Sequence, residues 1–221
     1  MRKTAVVISA LVGAIFTASA SADVRVEYST VNKSITVQEN ETAGDLDSVN
    51  GSIRIGDFAT VGSVESVNGS IRVGQGVRAE SIDSVNGGIS LEGDVTVEGT
   101  IETVNGGIEA DPGVRIVGGV STVNGTLDLD NALVEGDITT YNGAIMLRNG
   151  TSVAGDIHVK KSRSSGWSLF GGKKKPVIIE IGDDSIIQGD LYFERPVELR
   201  VGRNAQYGRI HGDEVQMHER K

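Results

Sequence analysis

A chain of 221 residues with 38% apolar composition is long enough to bury a core, yet aromatics are only 4% and glycine reaches 30 residues. That profile suits stacked small β-branched side chains better than an ordinary globular interior. A formal charge of −9 argues against general nucleic-acid binding, which needs a positive field. The absence of cysteine leaves stability to backbone pairing and packing alone.

At the start of the chain, Arg2 and Lys3 precede the apolar stretch TAVVISALVGAIF and the small-residue run TASASA. This pattern predicts a secretory signal peptide over residues 1–22, cut after Ala22 or after Ala20. The apolar run is short for a bilayer span, and no later segment offers the roughly 20 uninterrupted apolar residues of a transmembrane helix. The mature chain is therefore expected to be exported, to a periplasm or a cell surface, starting near Asp23. Removing Arg2 and Lys3 from 21 Lys+Arg leaves 19 against 30 Asp+Glu.

Beyond the cleavage site, ADVRVEY alternates and is expected to form a strand over a first coil. The phrase SVNGSIRIGD then begins at Ser48, returns at Ser66 and Ser84, and persists in worn forms at Thr103, Thr122 and Thr140. Its asparagines, Asn50, Asn68, Asn86, Asn105, Asn124 and Asn142, are spaced by 18, 18, 19, 19 and 18. Repeats of this length mark a solenoid, and SIRIG, SIRVG, GISLE, TLDLD and AIMLR carry apolar residues at alternate positions, the period of strands. An apolar residue lies four before each asparagine, and this row runs on past the phrase: Tyr28, Leu46, Val64, Ile82, Ile101, Val120, Ile138, Ile157, Leu191 and Ile210. The expected fold is an all-β, single-domain β-solenoid (β-helix) over 23–215, of about ten coils with an 18–19 residue period and one inserted loop. Ten rungs at about 4.8 Å make a rod on the order of 43 Å long.

At each corner, Asn and Gly tolerate a left-handed backbone, and stacked asparagine amides would hydrogen-bond as a ladder. Two-residue hairpins are the competing use of Asn-Gly, but they do not require a strict 18–19 residue return. The repeated VNGSI and VNGGI phrases, over about Val31 to Leu147, resemble the bacterial adhesin-like β-solenoid family. VAGDIHV at Val153 and IQGDLYF at Ile187 are more similar to bactofilins, polymer-forming β-helical scaffolds. Those resemblances imply a fold and a structural or surface role, with no catalytic residue to carry over.

The residue after each apolar marker points outward by alternation, giving the row Asp47, Glu65, Asp83, Glu102, Ser121, Thr139, His158, Tyr192 and His211. Paired carboxylates serve as acid and base in glycoside hydrolysis, which makes a polysaccharide-active β-helix enzyme one alternative. No nucleophile and base recur at an interpretable spacing, so the expectation is a solvated acidic edge on a protein that is not an enzyme. A calcium site lacks the glycine-aspartate nonapeptide of β-rolls. His158 and His211 lie two rungs apart, too far to share one zinc. No metal, cofactor or nucleic acid is expected.

One segment does not serve the coil. The loop at 160–176 carries Lys160, Lys161, Arg163, Lys173, Lys174 and Lys175 with no acid, around Trp167, Leu169 and Phe170. A basic loop with an apolar tip suits an anionic membrane surface, an acidic envelope partner, or the acidic rod of another copy through self-association. Residues 216–221 read as a charged tail guarding the last edge. The sequence thus predicts an exported, non-catalytic structural or adhesin-like envelope protein, with a bactofilin-like polymer-forming scaffold as the alternative.

Overall fold

The computed structural model describes residues 26–161 and 175–219. The expected signal peptide lies outside these residues, as do Arg163, Trp167, Leu169, Phe170, Lys173 and Lys174 of the basic loop.

The described chain contains no helix and winds into a β-solenoid of about ten coils with three parallel sheets. Sheets A and B hold ten strands each and sheet C holds six. One coil shows the path. Ala43–Ser48 runs in sheet A, Ile53–Ile55 in sheet B, and Thr60 bridges Thr42 on one side and Arg78 on the other at the position of sheet C before Ser63–Ser66 opens the next rung of sheet A. Alternation turns Leu46, Ile53, Ile55, Ala59 and Val61 of this coil inward, and all are buried.

The apolar marker row is the spine of sheet A. Tyr28, Leu46, Val64, Ile82, Ile101, Val120, Ile138, Ile157, Leu191 and Ile210 pair rung upon rung in unbroken register. The 34-residue step between Ile157 and Leu191 is crossed without a slip. A one-residue slip would turn buried side chains to solvent and outer ones into the core, and the strands on either side of this step keep their register.

The Asn-Gly corners join sheets A and B, and here the backbone differs from the expectation. None of the six asparagines or the glycines that follow them is left-handed. Positive φ gathers at the next corner, between sheets B and C: Asn40, Phe58, Gly76, Asp94, Gly113, Asn131, Asn149, Gly150, Asp184 and Asn204, with φ between 43° and 88°, while Gly212, at 153°, lies between the last strands of sheets A and B. Glycine is needed at the first corner for space. A Cβ on Gly69, Gly87, Gly106, Gly125 or Gly143 would meet the carbonyl oxygen of the corresponding glycine one coil earlier.

The residues read as a charged tail are also placed differently. Val215–Glu219 is the last strand of sheet B, in register with Val197–Val201. Gln216 through Glu219 thus belong to the last described coil and are exposed at its edge, with Met217 among them an exposed apolar side chain.

Candidate functional site

The hydroxyl, the asparagine and the glycine of the repeated corner phrase each have a distinct structural task. The buried hydroxyls of Ser48, Ser66, Ser84, Thr122 and Thr140 accept the N–H of the glycine three residues on, at 3.0–3.1 Å. The valine between hydroxyl and asparagine turns outward. Each asparagine donates its Nδ2 to the Oδ1 of the asparagine one coil before, at 2.8–2.9 Å, from Asn142 through Asn124, Asn105, Asn86 and Asn68 to Asn50. The ladder begins one rung earlier than the phrase suggests, since Asn50 donates to Asn32.

Its other end meets Arg195, a residue the repeat did not single out. Arg195 occupies the corner position below the insertion and donates to Asn142 Oδ1 at 2.6 Å and to the carbonyl of Tyr141 at 2.7 Å. It also donates to the carbonyl of Lys175, while Lys161 N–H bonds Glu194 Oε2 at 2.9 Å. These bonds fix both stems of the basic loop to the corner edge. The signal for Arg195 was its place four after Leu191, where the asparagine row returns.

The outer face of sheet A carries the chemistry. Asp47, Glu65, Asp83 and Glu102 stand directly above one another. The ion pairs of the described Lys and Arg residues all lie elsewhere, on Glu98, Glu135, Asp128, Glu198, Asp183 and Asp190. Burial, and then repulsion from Glu102 and Glu65, raises the Asp83 carboxyl above its ordinary value. Burial, and then Asp45, does the same to Asp47. Val49, Val67, Val85 and Val104 run alongside, each 39–41% exposed. Acid row and valine row line one long, open groove.

Below this groove the same row changes character. His158, Tyr192 and His211 stack face to face, with ring centroids 5.0 and 4.5 Å apart. Tyr192 separates the two histidines, which are two rungs apart as their spacing requires. Beside them runs a row of aspartates, one residue before each apolar marker. Oδ1 of Asp137 accepts the N–H of Asp156 at 2.9 Å, Oδ1 of Asp156 that of Asp190 at 2.8 Å, and Oδ1 of Asp190 that of Arg209 at 2.9 Å. His211 lies 2.9 Å from Asp190 Oδ2. The hydrogen bond from His211, with the Arg209 amide, holds the Asp190 carboxyl below its ordinary value.

The carboxylates of the groove stand side by side on one open face, an arrangement suited to holding a cation or a row of cationic side chains against apolar neighbours. The fold defines the molecule as a β-solenoid. No protein-family model, curated protein or solved structure matches the chain.

Proposed function

We propose that this protein is an exported, non-catalytic structural or adhesin-like envelope component. It is a rigid rod that presents two contact surfaces of opposite charge: the valine-edged acidic groove of sheet A and the basic aromatic loop at 160–176. The observation that supports this reading is a carboxylate ladder with no ion-pair partner among the described residues. Like charges directly opposite each other on neighbouring strands destabilise a sheet, and an exposed apolar row beside them adds a second unfavourable feature. Both costs fall when a cationic, partly apolar partner covers the groove. The loop contributes the complementary surface, with Trp167 and Phe170 suited to a membrane interface and the lysines to anionic headgroups.

The test uses mature residues 23–221 and vesicles containing anionic lipid. Sedimentation with the vesicles is expected for the unaltered chain, to weaken with salt, and to drop at least tenfold in Trp167→Ala with Phe170→Ala. Binding unchanged in that double variant removes the loop from the account.

A bactofilin-like scaffold is the second reading. It is favoured by the two terminal rungs among the described residues, where Val26–Thr30 and Ile35–Val37 at one end and Ile210–His211 and Val215–Glu219 at the other are the edge strands of sheets A and B. Light scattering that shows mass growing with concentration supports end-to-end assembly, and a monomer throughout the series removes it.

A further inference from the structure

We infer that Asp137, Asp156 and His158 form a binding site for a divalent transition-metal ion. One ligand atom from each lies within 4.8 Å of the others, and Nε2 of His158 is 4.0 Å from Oδ2 of both aspartates. Tetrahedral zinc, with bonds of about 2.0–2.2 Å, holds its ligand atoms roughly 3.3–3.6 Å apart, so the three groups draw together on binding. Asp137 is exposed, so its carboxylate has room to turn about the Oδ1 that the Asp156 amide holds and to bring Oδ2 inward.

The site is held on two sides. The Oδ1 atoms of both aspartates are bound to backbone N–H groups of the next coil, which leaves each Oδ2 turned toward the imidazole. The ring of His158 is fixed by its stack on Tyr192, with planes 12° apart. A mixed set of one imidazole and two carboxylates suits zinc and its first-row neighbours better than calcium, which takes oxygen ligands alone.

The charge balance points the same way. In the next rung, Asp190 is neutralised by Arg209 at 3.3 Å and faces His211. Asp137 and Asp156 stack one rung apart, and among the described residues only His158 stands near them as an ion-pair partner. A divalent ion supplies the missing positive charge. Three protein ligands leave coordination positions for water or for an oxygen of a partner, in the manner of an open site.

Zinc titrated into mature residues 23–221, followed by calorimetry and by competition with a chromophoric chelator, is the test. The chain has no cysteine, so thiolates contribute no background. One zinc per chain is expected, with magnesium unable to displace it. His158→Phe preserves an aromatic ring for the Tyr192 stack and removes the nitrogen donor, so affinity should fall at least tenfold while the thermal midpoint stays close to that of the parent. His211→Phe makes the same change two rungs away and should leave zinc binding intact. Absence of saturable binding overturns the site, as does loss in His211→Phe with retention in His158→Phe.

Discussion

At Phe58 the backbone is left-handed, with φ 56°, in a row whose other members are asparagine, aspartate and glycine. The conformation crowds Cβ against the following carbonyl and costs roughly 1–2 kcal/mol for an ordinary L-residue, whereas asparagine tolerates it. The Phe58 ring is 55% exposed and lies over Gly76, so it gains little burial in return. Phe58→Asn is expected to raise stability by about 1 kcal/mol, or roughly 2–4 °C in Tm for a domain of this size, measured by thermal denaturation. A lower midpoint would mean that the ring contact outweighs the backbone relief. The left-handed row was hard to read from sequence because any of three residue types fills it and Phe58 breaks even that pattern. The corner asparagines were legible because a hydrogen-bonded ladder accepts one side chain only. Their glycines were legible as necessary, but for the wrong reason, since the close approach of the preceding carbonyl depends on stacking between coils.

The strands of sheet A carry a cost that pH should reveal. Asp83 faces Glu65 above and Glu102 below, and its carboxyl is raised from an ordinary 3.8 by burial and then by those neighbours. A carboxyl with a raised folded-state value contributes stability that is fully present below 3.8 and is lost as pH rises through that raised value. Asp83→Asn removes two like-charge pairs, each worth about 0.2–1 kcal/mol, and should melt higher than the parent at pH 7. The difference should close near pH 3, where both chains are uncharged at this position. An equal gain at both pH values would assign the effect to packing instead. The acid ladder was legible in sequence from the strand period alone. The Asp137, Asp156 and His158 cluster was not, because it requires reading the residues before and after each marker together: both flank an inward residue and point outward on one face. Sheet C was also faint, since strands of two residues, such as Thr96–Val97 and Arg115–Ile116, are too short to show alternation.

Across the whole molecule, the period of the apolar markers specifies the stacking and passes through the insertion without a break. Nine successive pairings along one row mean that each coil leans mainly on its neighbours, as in other solenoids, where stability accumulates by repeat and interface. In such a rod a surface loop is separable from the scaffold, because loop closure changes slowly with length. The charged residues near the end of the chain could not be distinguished from a tail by sequence, since only Val215 and Met217 offer an apolar face. Pairing with Val197–Val201 decides their place.

The repeat maintains the shape and carries the acidic groove, and contact with anionic surfaces resides in the loop that interrupts it. The direct measurement is anionic-vesicle binding by a mature chain in which residues 162–178 are replaced by the Gly-Ala that follows Asn142, which returns the 34-residue step to 19. The account predicts a cooperative melt close to that of the parent together with loss of vesicle binding. A chain that melts normally and still binds vesicles as well as the parent would contradict it.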